Sequence, residues 1–530
     1  MASNLLAALQ GALTGKNATE QPTTLAIAST VAAALVLIYF LFKALTDPKR
    51  GLPGPIWSFP VLGDSVELGL TNDTGRFVFN RFKKYGATFR LNMLGVSAFV
   101  VSDESVLRPL MAGEGAQFKI PFAAFTALMG SYETQSRKEV HGPWRKVYLT
   151  AVGGRALPAM LPGVRRVMES HLTAWASEGR VDLFQAARNM GLDLALDVIA
   201  DVRLSERVDR KWFRDTMFTY INGMWVLPFR YPGSPLSKAL AAKAALMKAL
   251  EPEVADMHQR MGRTAKEAGG SCARMVELLQ AGPEPVTVKE ATLLAFFGLG
   301  HTDLSEAPMT MLHAVMAASD TTRFALFNTW TLLCQSPRVQ EQLFQEQKKV
   351  VSEMGPELSY QALAASPLLE ATFKECMRLL PASGGGIRRL TRDLHMGDKV
   401  IPEGQYLWYF PHLMHCLDPV LWDGRTDYDL PPHMDWRNNF EEAFKPERWL
   451  SEDTKPKHYY TFGSGAHLCS GVQLVTMEVK LMIALAVRRW RLELEVPDVL
   501  RRADRIFPFV LPAKGTDGMR LIPREDQLPW

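Results

Sequence analysis

The chain has little to offer a disulfide framework. Its 530 residues hold five cysteines, Cys272, Cys334, Cys376, Cys416 and Cys469, an odd and scattered set with no C-x-x-C pair. A stapled secreted scaffold and a zinc ribbon are thereby excluded, and a reducing, cytosol-facing compartment fits. Excess charge of one sign is also missing: 60 Lys and Arg against 56 Asp and Glu leave a net +4, so nothing calls for a nucleic-acid partner. Residues 1–22 contain no Arg, which excludes an Arg-rich transit peptide. Internal repeats, low-complexity tracts and Gly/Ser linkers are absent from the long C-terminal part. With 47% apolar and 22% charged residues, that part can bury a large core as one domain.

One long hydrophobic run is present. Leu25 to Phe42 carries no charge, and Thr23, Thr24, Ala44 and Leu45 extend it to a length that crosses a bilayer as a helix. Lys43, Lys49 and Arg50 follow it, so the positive-inside bias puts the bulk of the chain on the cytosolic side. A cleavable signal peptide is the competing reading, weakened by the absent basic n-region and by the length of the run. The expected organisation is a lumenal tail over 1–22 with the sequon at Asn17, a transmembrane signal anchor over 23–45, a hinge over 46–60 and one domain over 61–530. The hinge contains Gly51-Leu52-Pro53-Gly54-Pro55 and Pro60, whose fixed φ and missing donors make a stiff, non-helical stretch. Short β-like runs at Thr88–Leu94 and Ala98–Ser102 precede long helical patterns, so the domain reads as mainly α with a minor β-sheet.

The most informative segment is Phe462-Gly463-Ser464-Gly465-Ala466-His467-Leu468-Cys469-Ser470-Gly471. A lone cysteine lies in a glycine-rich loop just before an apolar, helix-competent run, Val472 to Val487. A thiolate at a helix N-terminus is stabilised by unpaired N–H groups and the helix dipole, and the spacing predicts a lowered thiol pKa. Such a thiolate can serve as the axial ligand of a haem iron. The pattern F-x-x-G-x-[HR]-x-C-x-G is complete, and it resembles the haem-binding loop of the cytochrome P-450 family. From the hinge to the C-terminus the resemblance implies the P-450 fold, haem b as cofactor, Cys469 as the iron ligand and Phe462 beside the cofactor.

Other motifs bear on that reading. Glu375-Cys376-Met377-Arg378 lies in a helical pattern that stops at Pro381, and residues i and i+3 share a face. Together with Arg448 in Phe444-Lys445-Pro446-Glu447-Arg448-Trp449 it resembles the family's buried charge triad, whose role is structural. Ala317-Ala318-Ser319-Asp320-Thr321-Thr322 sits in a long apolar helical stretch from about Pro308 to Cys334. An acid and two threonines are locally unfavourable there and mark a bend or a functional site. The segment resembles the family's oxygen-activating motif, where the helix opens beside the iron, with Ala318 in place of the usual Gly. The resemblance makes Thr321 the hydrogen-bonding residue of oxygen activation and Asp320 the proton relay. Trp144, Arg145, Arg388 and His467 are its candidates for holding the haem propionates, with Tyr148 standing where an Arg is often found.

Gly385-Gly386-Ile387-Arg388 and Tyr231-Pro232-Gly233-Ser234-Pro235 resemble one clan of the family, which includes retinoic-acid, brassinosteroid, abscisic-acid and sterol oxidases. The stretch Asp423 to Ala443 is longer than expected and reads as a surface insertion. The resemblance implies an endoplasmic-reticulum monooxygenase, single-pass with a cytosolic catalytic domain, which takes NADPH electrons from a P-450 reductase, with cytochrome b5 as a second donor. Lys146, Lys455 and Lys457 join Arg145 as basic residues for that acidic partner. The expected substrate is lipophilic, a sterol or other isoprenoid, with Phe122, Trp225, Ala317 and Phe507 lining its pocket. A fatty-acid hydroxylase is the alternative substrate reading. A haem-thiolate isomerase or dehydratase and a haem-based sensor are the alternative classes, against which Asp320-Thr321 and the apolar entrance speak.

Overall fold

The computed structural model describes residues 30–31, 34, 38, 52–55, 63–70, 73–93, 96–130, 138–200, 208–267, 277, 281, 286–291, 307–396, 399–497 and 512–529. The helices that position the site are α1 (Thr74–Tyr85), α2 (Ala123–Met129), α3 (Lys138–Val152), α4 (Ala156–Glu178), α5 (Leu183–Leu194), α6 (Arg210–Asn222), α7 (Pro235–Glu267), α8 (Ala307–Cys334), α9 (Pro337–Met354), α10 (Pro367–Leu379) and α11 (Val472–Arg489). The strands are β1 (Thr88–Met93), β2 (Val96–Val101), β3 (Ala116–Phe118), β4 (Val181–Asp182), β5 (Gly386–Leu390), β6 (Leu394–Met396), β7 (Lys399–Ile401), β8 (Tyr406–Tyr409), β9 (Trp490–Leu494) and β10 (Gly518–Pro523). The mainly helical expectation and the two early strands are both observed. The 23–45 anchor and Asn17 lie outside the described residues but for four helical positions, Thr30, Val31, Ala34 and Ile38. Among the described residues no helix is long and apolar enough to cross a membrane.

The strands make a five-stranded sheet in the order β1-β2-β8-β5-β3, a three-stranded sheet β4-β10-β9 and the ribbon β6-β7. β2 and β8 pair in parallel, while β1–β2, β5–β8 and β3–β5 are antiparallel. Leu52 to Pro55 docks on this sheet: the Arg90 amide donates to the Pro53 carbonyl at 2.6 Å, and the Arg90 guanidinium to the Pro55 carbonyl at 3.1 Å.

α8 is apolar on all sides and is buried along almost its whole length, as a helix through the middle of a large core should be. Gly191 of α5 lets the two helices meet closely, since a Cβ there would stand 2.8 Å from the Ser319 carbonyl oxygen. α11 is the second central helix, with Leu481 to Val487 at most 0% exposed. Its packing on α4, α9 and α10 ties the cysteine loop before it to the rest of the core.

Glu375, Arg378 and Arg448 come together as expected. The fully buried Glu375 carboxylate accepts from Arg378 Nε and Nη2 at 2.9 Å each and from Arg448 Nε at 2.9 Å. It also accepts from Trp449 Nε1 at 2.9 Å and the Lys445 amide at 3.0 Å. Arg378 reaches on to the carbonyls of His433 (2.9 Å) and Ala443 (2.8 Å) and to Met434 Sδ (2.9 Å). The Asp423–Ala443 stretch is therefore not simply a surface insertion. Asp423 to Asp427 is exposed, but His433, Met434, Trp436 and Ala443 are buried, and His433, Met434 and Ala443 complete the charge network. Burial works to raise the Glu375 pKa, but the Arg378 and Arg448 charges and the hydrogen bonds prevail and hold it below its usual 4.5. A depressed carboxyl pKa gives stability that is present above about pH 4.5 and is lost as pH falls through the folded value. Glu375→Ala, which leaves two buried guanidinium groups uncompensated, should lower the urea-unfolding free energy by about 3–5 kcal/mol at neutral pH. An unchanged unfolding midpoint would show that the network is dispensable.

Candidate functional site

The site is built from a loop, a helix end and one face of α8. The loop turns at Gly463 (φ 74°) and Gly465 (φ 67°), both in the left-handed region that glycine enters without strain. A Cβ on Gly465 would stand 2.1 Å from the Met111 carbonyl oxygen, so close backbone approach also demands glycine there. The Cys469 amide donates to the Phe462 carbonyl at 2.9 Å and the Leu468 amide to Gly465 at 3.1 Å, closing the loop on itself. Gly471 then caps α11. Phe462 packs at the core edge, its ring 6.1 Å from that of Phe373 on α10.

The expectation of a lowered Cys469 pKa is corrected by the structure. Desolvation raises it above the usual 9.0, outweighing the Gly471 N–H and the Arg145 guanidinium, which both lower it. One helix end and one cation do not suffice to ionise this thiol. A bound metal would, because coordination deprotonates a thiol outright.

α3 braces the loop from outside. Arg145 donates to the Leu468 carbonyl, and His141 Nε2 lies 3.2 Å from the Ala466 carbonyl. His141 and Arg145 are four residues apart and so share a helix face. That spacing was the available signal for His141, which the motif reading passed over. The His141 ring stacks on His467 with centroids 3.9 Å apart, and His467 stacks in turn on Phe118 of β3 at 5.3 Å. Arg388 of β5 is buried, with its guanidinium 5.2 Å from the Phe118 ring. Burial, helped by His141, Arg388 and Arg145, pushes the His467 pKa down to about 3. His141, Arg145, Arg388 and His467 thus gather beside the cysteine loop, with the two guanidinium groups carrying the positive charge. Trp144 lies in α3, but its side chain falls outside the described residues.

Along α8, Ala317 and Thr321, one turn apart, are the two exposed residues of a largely buried helix. The Thr321 hydroxyl donates back to the Ala317 carbonyl at 2.7 Å, and the helix runs through this point without opening. Back-bonding by the hydroxyl satisfies it locally, which is why no break is needed. Asp320 does not share the Thr321 face. It is buried toward α5 and α6, 2.5 Å from Arg323, in a small cavity also lined by Arg188 and Arg214. Burial raises its pKa, while Arg323 and Arg188 oppose that shift.

Two of the four expected pocket residues meet: the Phe122 and Trp225 rings lie 6.1 Å apart. Phe125 joins the same cluster, and so does Trp408, which the motif reading missed. Phe125 is 6.1 Å from Trp225, while Trp408 is 6.4 Å from Phe122 and stacks on Phe410 at 4.8 Å. Ala317 belongs to the open α8 face, and Phe507 lies outside the described residues. Of the basic residues read as a docking face, Lys455 and Lys457 are paired with Glu452 at 2.7 and 3.7 Å.

The cysteine loop, the Arg and His group beside it and the α8 face that carries Ala317 and Thr321 offer the donor set for an iron-bearing cofactor with acidic side groups. Comparison with known proteins agrees. The family model described as Cytochrome P450 matches residues 52–430 and 439–517. Cytochrome P450 85A1 of Oryza sativa subsp. japonica is 24% identical over 495 residues, covering 91% of this chain and 96% of that protein. Abscisic acid 8'-hydroxylase 2 of Oryza sativa subsp. indica is 24% identical, covering 88% of this chain and 86% of its own. Among solved structures, retinoic acid-bound cyanobacterial CYP120A1 superposes with a TM-score of 0.69 at 22% identity, covering 89% of this chain and 99% of that one.

Gly465→Ala tests the geometry of the loop. Forcing a side chain into the left-handed region and against Met111 should cost about 1–3 kcal/mol, seen as a lower urea midpoint together with a reduced haem content after purification. Wild-type haem content and stability would refute the close approach.

Proposed function

Because the chain belongs to the cytochrome P450 family, we propose that it hydroxylates a lipophilic isoprenoid, a sterol or a carotenoid-derived molecule, at a haem ligated by Cys469. Family membership makes it a monooxygenase with haem b as cofactor and with NADPH-derived electrons delivered through a reductase. Haem, when bound, supplies the activation of molecular oxygen. The residues of this chain then have separable tasks. Cys469 would offer the sulfur that holds the iron, and the Arg145 guanidinium and Gly471 N–H favour its ionised form. His467, Arg388, Arg145 and Trp144 are assigned to the cofactor's acidic groups. Thr321 holds a hydroxyl on the open face of α8, where it can pass a proton, and Asp320 supplies that proton from the arginine-lined cavity behind the helix.

The cluster of aromatic rings formed by Phe122, Phe125, Trp225 and Trp408 supports the substrate reading. Such a wall binds by area: roughly 25 cal/mol is gained per Å² of apolar surface buried, which suits a large rigid hydrocarbon skeleton with few polar groups. Abscisic acid and retinoic acid, named in the similar proteins, are both isoprenoid-derived acids. We assign the 23–45 segment as an endoplasmic-reticulum anchor with the catalytic domain cytosolic. A reductase docks on the cysteine-loop face, with cytochrome b5 as second donor.

Two experiments address these roles. Thr321→Ala and Asp320→Asn should divert NADPH electrons to peroxide or water and slow product formation by roughly 10²–10⁴-fold. Wild-type coupling in both variants would return the pair to ordinary helix residues. For substrate, Phe122→Ala and Trp225→Ala should weaken the high-spin optical shift induced by a sterol or retinoid and leave the reduced-CO spectrum intact. A clear response to fatty acids with none to any sterol, retinoid or carotenoid would move the assignment to lipid hydroxylation.

A further inference from the structure

Glu478 is a titratable group that none of the roles above uses. It lies on α11, nine residues after Cys469, and it is 0% exposed. The Thr322 hydroxyl of α8 points at its Oε2 from 3.5 Å, and Oε1 has no hydrogen-bond partner among the described residues. Thr322 is the neighbour of Thr321, so this contact joins the helix that follows the thiol to the helix that carries the open face.

The charged groups on the elements packed around Glu478 are engaged elsewhere. Arg165 of α4 pairs with Glu169, and Arg323 of α8 with Asp320. Glu346 of α9 accepts the amides of Leu368 and Leu369. On α10, Glu370 pairs with Lys374 and also takes Lys480 of α11, while Glu375 holds Arg378. Arg491 and Glu493 of β9 are exposed to solvent, and the short helix Tyr360–Ala364 carries no charged residue. An ionised carboxylate in such surroundings would have neither a counter-charge nor a full set of donors, which is the arrangement that drives a buried acid to keep its proton.

We propose that Glu478 is a positioning residue, held as a neutral carboxylic acid, that ties α8 to α11 through Thr322 and so fixes the Thr321 hydroxyl relative to the cysteine loop. Burial pushes its pKa from the usual 4.5 up to about 8, with the Thr322 hydroxyl a smaller opposing influence. Between those values the folded protein holds a proton that the unfolded chain has lost. Stability should therefore fall as pH rises from about 4.5 to about 8 and level off above that.

The proposal rests on the proposed task of Thr321 only for its functional consequence, and its first two tests do not involve catalysis. Infrared spectra of the purified full-length holoenzyme at neutral pH should show a protonated-carboxyl C=O stretch that Glu478→Gln removes and that Thr322→Val shifts to higher frequency. Urea unfolding across pH 4.5 to 8 should lose a pH-dependent component in Glu478→Gln, an isosteric neutral variant chosen to fold. The third readout is the fraction of NADPH electrons lost to peroxide, which should rise several-fold in Glu478→Leu and stay at the wild-type level in Glu478→Gln. No infrared band lost in Glu478→Gln, or the same pH dependence of stability as wild type, overturns the neutral-acid assignment. Equal peroxide release in wild type, Glu478→Gln and Glu478→Leu overturns the positioning role while leaving the carboxyl's protonation standing.

Discussion

A buried carboxylate needs every oxygen lone pair answered, and Glu375 has that need met by two arginines, an indole and a backbone amide. Because it cannot be abandoned without leaving charges stranded in the core, the segments that answer it are fixed in space. They include the end of α10, the stretch from His433 to Ala443 and the turn around Arg448 and Trp449. From there Thr461 donates to the Met377 carbonyl at 2.7 Å, and the Tyr460 amide donates to His415 Nε2 at 3.0 Å. The cysteine loop begins at the next residue, Phe462. Its position is thus inherited from the charge network rather than set by the loop itself.

The thiol at the end of that chain of contacts is not ionised by its surroundings alone, since desolvation wins over Gly471 and Arg145. This is consistent with a site whose ligand becomes a thiolate only on meeting iron, with the protein supplying geometry rather than acidity. The same division appears on the other side. Thr321 faces the open space, while its neighbour Asp320 faces away, paired with Arg323. In a helix, adjacent residues point about 100° apart, so one continuous α8 can address two compartments without a break.

Much of this was legible from the residue order. The α8 and α11 boundaries, the paired early strands and the Glu375–Arg378 pair follow from periodicity, Pro stops and i,i+3 spacing, which are local signals, whereas Arg448 entered the network only through the family resemblance. What escaped were long-range events. The inward turn of His433 to Trp436 could not be read because Asp, Pro and Asn composition suggests a surface loop, and the burial is imposed by Arg378 from another part of the chain. Trp408 carries no motif signal of its own, and only the fold brings Phe122 and Phe410 beside it. The thiol pKa was misjudged because the helix end is visible in sequence, whereas the desolvating neighbours are not.

The central claim is that Cys469 ligates haem iron in this fold, and iron K-edge X-ray absorption of the purified protein tests it most directly. The account predicts one sulfur in the first coordination shell of the iron, replaced by a lighter atom in Cys469→Ser while the charge network keeps the protein folded. A first shell of nitrogen and oxygen alone in the wild type, or a sulfur that survives Cys469→Ser, would contradict it.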